Sequence, residues 1–414
     1  MLLKEKFKIL FNRVSMFLKT DIIYTLKGGF FLSLGNFFSV AASFALAFFF
    51  ARLLPKEIYG TYSYVIAWIS VLGVFALTGM DTAVIQSVSR GFGGSLIAGL
   101  KKKIRYGMLG TLAALLIGVY YFYNGNQTLA SAFFIGAIFI PFINGFQIYN
   151  AYLVGKKEFK TSAYYAIAGQ VFIALSLIAA VYFTKNIIYI VSAYLIANLI
   201  PNLIFFVLTK LKIKLPEEKD PGITSYAKHL SAINVLSVVA SYIDQFLAWY
   251  FLGPANLATY VFATAPPEQI KGFFKGLSDL VLPKFSGRTE EEIKKTMARK
   301  IIILTAFTAL VVGIYILLSP LFYKIFFPRY LDAMLLSQIF ALSMLNTPPG
   351  LIIGALTAHK KIKRLYAFNI ISPIFQIIIM AVLTPLYGLI GLISARVIAR
   401  TFTTALSLLI YYKK

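Results

Sequence analysis

The chain has 414 residues, 59% of them hydrophobic and only 13% charged, a balance too apolar for a soluble domain with a polar surface. Forty Lys and Arg against fifteen Asp and Glu give a formal net charge of +25, yet a mean hydropathy of +0.79 leaves no soluble basic module to grip nucleic acid. There is no cysteine, the two histidines (His229 and His359) are far apart, and no Walker-type phosphate loop occurs. Disulfide and thiolate chemistry are therefore excluded, a His-based zinc site is not expected, and the chain carries no ATP motor of its own.

The first 27 residues place Lys4, Lys8, Asn12, Ser15 and Lys19 on one helical face and Leu3, Phe7, Leu10 and Val14 on the other. That pattern predicts an amphipathic helix lying on anionic lipid. A cleaved signal peptide is the rival reading, but no compact apolar core followed by small residues is present. Apolar runs long enough to cross a hydrocarbon core then recur twelve times, near 28–51, 61–86, 104–122, 129–153, 161–183, 187–209, 224–251, 256–283, 300–319, 331–357, 365–384 and 386–411. Short loops rich in Lys and Arg stay cytoplasmic. Thirty-one of the forty cations fall at alternate ends of these runs, whereas the opposite ends hold only Arg52, Lys56, Lys185, Lys324 and Arg329. Both termini are therefore expected in the cytoplasm of a multi-pass plasma-membrane protein. The outward loops are short, the longest around 320–330, leaving no extramembrane domain for a catalytic constellation of carboxylates or His, so no enzyme activity is expected.

The two halves of the chain resemble each other. Asp81 is followed nine residues later by Arg90, and Asp279 nine residues later by Arg288. LLPKEIYGTY before the second span matches LGPANLATY before the eighth, and AYLVGKK (151–157) matches ALTAHKK (355–361), all at offsets near 200 residues. Six spans per half make the repeats parallel. The expected architecture is an all-α membrane protein of about twelve transmembrane helices in two six-helix lobes around a central cleft. Its parts are the amphipathic helix 1–27, an N-lobe over 28–209, a cytoplasmic linker over 210–223 and a C-lobe over 224–414. Two such lobes can rock to expose the cleft to alternate sides.

The run ARLLPKEIYGTYSYVIAWISVLGVFALTGMDTAVIQSVSR (51–90) resembles the N-terminal hallmark of the polysaccharide flippases. SYIDQFLAWYFLGPANLATYVFATAP (241–266) is similar to their seventh-to-eighth-helix segment, and YGLIGLISARVIAR (387–400) to their last helix. That family, which includes the O-antigen repeat-unit flippases, belongs to the multidrug/oligosaccharidyl-lipid/polysaccharide exporter superfamily. The resemblance implies a two-lobed transporter moving lipid-linked oligosaccharide from the cytoplasmic to the outer leaflet, its lipid tail passing through a lateral opening. Related peptidoglycan-precursor flippases carry two extra spans, which favours polysaccharide repeat units here. The expected partners are that lipid-linked oligosaccharide and anionic membrane lipids, without nucleic acid, and the chain is expected to act as a monomer. No resident cofactor is expected; H⁺ or Na⁺ is a candidate coupling ion. A drug or organic-cation antiporter of the same superfamily and a membrane glycosyltransferase or ligase are the alternatives.

An ionisable side chain at bilayer depth costs at least ~2.5–3.5 kcal/mol unless it snorkels, pairs or meets water, so each one is a functional candidate. Span eight carries Glu268, Lys271, Lys275 and Asp279 at spacings that share one helical face, just after Pro266 and Pro267. Two readings stand: a self-contained ladder of ion pairs, or a cleft face on which Lys271 and Lys275 attract the phosphate joining sugar to lipid. Arg396 and Arg400 on the last span either pair with carboxylates inside the lobe or contact substrate. Asp81, Asp244, Glu268 and Asp279 are candidates for coupling or ion pairing. Asp81 and Asp279 are expected to brace Arg90 and Arg288, and Asp244 is expected near the outer end in contact with water. Asn36, Gln86, Asn150, Gln170 and Asn234 can bond sugar hydroxyls or cement helix packing. Aromatic residues, 16% of the chain, are expected mainly at the membrane interfaces and facing lipid.

Overall fold

The computed structural model describes residues 22–212, 218–279, 290–346, 350, 352–353, 356 and 362–412. The predicted surface helix over 1–27 lies outside them except for its last six residues. The helices, in chain order, are α1 (Ile22–Leu53), α2 (Lys56–Leu72), α3 (Gly79–Ser89), α4 (Ser95–Tyr123), α5 (Gln127–Phe146), α6 (Ile148–Gly155), α7 (Phe159–Phe183), α8 (Ile187–Lys212), α9 (Ile223–Leu247), α10 (Pro254–Asp279), α11 (Glu290–Phe326), α12 (Ala333–Ala341) and α13 (Ile362–Tyr412). Local chemistry sets several boundaries. Pro55 and Pro254 open α2 and α10, where a missing N–H costs nothing, and the Asn126 side chain caps α5 by accepting the Leu129 N–H at 3.0 Å.

Among the described residues eight helical stretches are long and apolar enough to cross a membrane, and Phe37–Leu53 and Ala333–Leu345 are shorter apolar helices. The difference from the twelve expected runs has physical causes. The 26-residue α10 carries two prolines and four charged residues, which dilute its apolarity. The last two runs merge into α13, whose 51 residues would reach about 77 Å at 1.5 Å per residue, more than twice a hydrocarbon core. Gly388, at φ 62° and ψ −140°, breaks that helix into two bilayer-length pieces, a conformation that glycine adopts without a Cβ penalty. The second run, expected to be continuous, is interrupted instead. A 3₁₀ turn over Gly73–Ala76 and the left-handed Leu77 (φ 54°) separate α2 from α3. Pro266 and Pro267 lie inside α10, which is helical on both sides of the pair.

Helices α4 and α5 form an antiparallel pair, with Gly107 beside Pro141 and Gly118 beside Phe134, the small residues that let membrane helices approach closely. Helix α1 packs on α7, and α8 on α5 and α7. In the second half α12 packs against α10, α11 and α13. The two halves meet at both ends. At the cation-poor end α2 lies on α10, Lys56 bonds Asp332 at 2.7 Å and Arg52 donates to the Ile325 carbonyl at 3.0 Å. At the cation-rich end α3 lies on α9, the Gly79 N–H donates to Ser231 Oγ at 3.0 Å, and Arg90 pairs with Asp220 in the linker.

Many aromatic residues face outward, Tyr123, Tyr182 and Phe183 among them, and others lie inside. Tyr59, Tyr62, Tyr260, Phe262, Tyr323 and Tyr330 belong to the buried core that joins the two halves. Tyr59 and Phe262 have ring centroids 4.8 Å apart, and Tyr64 stacks on Trp249 at 4.3 Å. Aromatic rings hold large area at this seam because lipid gives them no stronger hydrophobic alternative while shape-matched rings gain dispersion.

Candidate functional site

The charged residues of the second half converge from three helices. Asp244 lies near the end of α9, Glu268 on α10, and Arg396 and Arg400 one turn apart on α13. Asp244 is only 1% exposed, pairs with Arg396, and accepts the Tyr260 hydroxyl at 2.5 Å. Arg396 Nη1 donates to that same hydroxyl at 2.9 Å and Nη2 reaches Glu268 Oε1 at 3.3 Å. Arg400 pairs with Glu268 in turn and donates to Ser343 Oγ at 2.7 Å, while the Phe340 ring lies 5.6 and 4.8 Å from the two guanidinium carbons. Acid and base alternate along the chain Asp244, Arg396, Glu268, Arg400, so each buried charge is neutralised by its neighbour. The row is sealed at Asp244 and opens at Glu268, whose side chain is 34% exposed against 18% for Arg396 and 16% for Arg400.

Pairing inside the lobe, one of the two readings of Arg396 and Arg400, is thus the geometry found. Asp244 departs from the expected solvated position: it is buried, where Arg396 supplies its counter-charge and Tyr260 its hydrogen bond. Glu268 reaches across to Arg396 and Arg400 of α13. Lys271 is half-buried; the side chains of Lys275 and Asp279, and Arg288 with them, lie outside the described residues. Asp81 does not brace Arg90. Nine residues at 100° each put the two on opposite sides of α3, and Asp81 instead holds Lys103 of α4 at 2.8 Å, a cation only 3% exposed. Sequence reasoning took Lys103 for a loop charge, and gave Tyr260 and Ser343 no role because a hydroxyl in an apolar run carries no mark of its partners.

Two cavities flank α1. An apolar one of about 550 Å³ lies between α1, α10 and α11, with Phe37, Phe44, Pro266, Ile270, Leu318 and Phe322 among its walls. A second, of about 240 Å³, lies among α1, α6, α7 and α8 and takes in both Asn150 and Gln170. Gln86 and Asn234 are exposed elsewhere, and the side chain of Asn36 lies outside the described residues. Among the described residues no group of three or more His, Cys, Asp and Glu is placed to hold a metal ion.

Helices of this length and apolarity, in this order, define a multi-pass membrane protein. The fold match is broad: a lipid II flippase MurJ in an inward closed conformation superposes with a TM-score of 0.73 over 91% of this chain and 86% of that one at 17% identity. An inward-facing multidrug resistance MATE transporter of the MOP superfamily gives 0.68 over 90% and 93% at 14% identity. A MOP superfamily transporter from Pyrococcus furiosus, described by the reverse polarity of its binding pocket, gives 0.56 over 92% and 94% at 13% identity. No curated protein sequence matches the chain significantly. The family model for polysaccharide biosynthesis proteins matches residues 49–335, and the chain belongs to that family.

Proposed function

We propose that this protein is a flippase that carries lipid-linked oligosaccharide from the cytoplasmic to the outer leaflet by alternating access of two six-helix lobes, residues 28–209 and 224–414. The observation that carries the reading is the apolar cavity between α1 of the first lobe and α10 and α11 of the second, on the helix that also bears Lys271 and Lys275. A polyprenyl chain fits such walls, and Gln269 and Ile270 of that cavity immediately precede Lys271 in sequence. The phosphate of the carrier is then held by Lys271 and Lys275, because a fixed cation in a low-dielectric cleft attracts an anion far more strongly than one in water. Arg396, held by the sealed Asp244, keeps the lobe rigid. Arg400 joins substrate binding by exchanging Glu268 for phosphate at the open end of the row. Coupling to H⁺ or Na⁺ falls to Glu268, the carboxylate that this exchange releases.

The test is flipping of a fluorescent polyprenyl-pyrophosphate-linked oligosaccharide in proteoliposomes. Wild-type protein is expected to translocate it and the Lys271→Ala, Lys275→Ala double variant to be at least tenfold slower. Equal rates would defeat the assignment of the cleft. The likeness to multidrug transporters keeps one rival in view, and competition by cationic dyes would establish it.

A further inference from the structure

The cavity of about 240 Å³ lies inside the first half of the chain. Carboxamides converge on it from three helices: Gln147 and Asn150 near the α5–α6 junction, Gln170 on α7, and Asn198 and Asn202 on α8. No Asp, Glu, Lys, Arg or His lines it. Its aromatic wall is formed by Tyr165 and Phe205, stacked at 4.4 Å and 6°. Asn150 accepts from Ser162 at 2.6 Å, Gln170 donates to Ser43 at 3.1 Å and Asn198 to the Tyr194 carbonyl at 2.8 Å, so three of the five carboxamides are oriented by the protein. Among the described residues the carboxamides of Gln147 and Asn202 have no hydrogen-bond partner. The Tyr165 hydroxyl is shut off from solvent and is likewise unpartnered. Gln147 is exposed and Asn202 half-buried, so their carboxamides are open to a ligand, whereas the buried Tyr165 hydroxyl left without a partner costs about 1–3 kcal/mol.

We infer that this pocket is a glycan subsite, taking one neutral sugar ring that bears hydroxyl or acetamido groups. Carboxamides both donate and accept, which suits hydroxyl and amide groups, and with no charged side chain in its wall the pocket offers no counter-charge to a phosphate or a divalent cation. An uncharged wall leaves a neutral ring free of ionic competition, and the volume equals that of roughly eight waters at ~30 Å³ each, room for a single ring. Position supports the assignment. Ser43, which takes the Gln170 hydrogen bond, also lines the apolar cavity, so one helix separates the sugar pocket from the proposed path of the lipid tail. The inference rests on the flippase reading and adds to it the group by which the head is recognised.

The experiment uses the full chain in detergent and two probes: a polyprenyl pyrophosphate carrying an N-acetylhexosamine disaccharide, and the same polyprenyl pyrophosphate without sugar. Wild-type protein is expected to bind both, the glycosylated probe at least tenfold more tightly. In the Gln147→Leu, Asn202→Leu double variant the glycosylated probe is expected to fall to the affinity of the bare one, which itself stays unchanged. Wild-type protein that binds neither probe overturns the flippase reading and this inference with it. Wild-type protein that binds both equally, or a double variant that keeps the wild-type preference for sugar, overturns the glycan subsite alone. If the double variant loses both probes, the exposed single change Gln147→Leu decides: a selective loss of at least threefold for the glycosylated probe supports the subsite, and an unchanged preference overturns it.

Discussion

Asp244 is buried against Arg396, whereas Arg396 also reaches Glu268, and the pair at the sealed end of the row makes their variants asymmetric. Asp244→Asn leaves a buried guanidinium short of its carboxylate and is expected to lower stability by about 3–5 kcal/mol, read by thermal or chemical unfolding in detergent. The double change Asp244→Leu, Arg396→Met removes both charges and is expected to lie much closer to wild type; a double variant as unstable as the sum of the singles would mean that the two do not act as a pair. Glu268→Gln acts at the open end of the same row. It weakens the hold on Arg400 and is expected to tighten binding of a polyprenyl phosphate several-fold, measurable by titration with the bare lipid. At this scale the sequence was informative wherever an ionisable side chain interrupted an apolar run, because membrane depth makes each one conspicuous. Tyr260 is one of 26 tyrosines and Ser343 an ordinary serine, so their places in the row became visible only with their neighbours.

Among elements, the contact of α2 with α10 depends on an absent side chain. A Cβ on Gly60 would lie 1.8 Å from the Pro254 carbonyl oxygen. Gly60→Ala is therefore expected to force the two helices apart, at a cost of about 1–3 kcal/mol in unfolding measurements. Gly313→Ala, where nothing lies within 4 Å, is the control and should be neutral or slightly stabilising. Helix positions were legible because apolar runs and cation clusters alternate along the chain. The break between α2 and α3 was not, since Gly73 to Thr78 is as apolar as the helices it separates and only backbone geometry distinguishes it.

For the whole molecule, the cation-poor end is fastened across the two halves by Lys56–Asp332, with Thr259 donating to the same carboxylate at 3.1 Å. Alternating access requires this clasp to open. The chain has no cysteine, so Lys56→Cys, Asp332→Cys introduces the only thiol pair. Bridging it with a short bifunctional thiol reagent is expected to stop flipping in proteoliposomes, while either single variant treated in the same way continues; undiminished transport by the bridged protein would mean that this end does not open.

The sequence by itself determined that the chain crosses the membrane many times, which ends of its helices carry cations, and which side chains are costly at depth. These follow from transfer free energies and periodicity, properties each segment has before it meets any other. The tertiary structure alone decided who pairs with whom: Arg90 with Asp220, Asp81 with Lys103, Arg396 with Asp244, and five carboxamides around one hollow. Partner choice depends on the rotation and depth of neighbouring helices, and those are fixed by close packing between segments far apart in the chain.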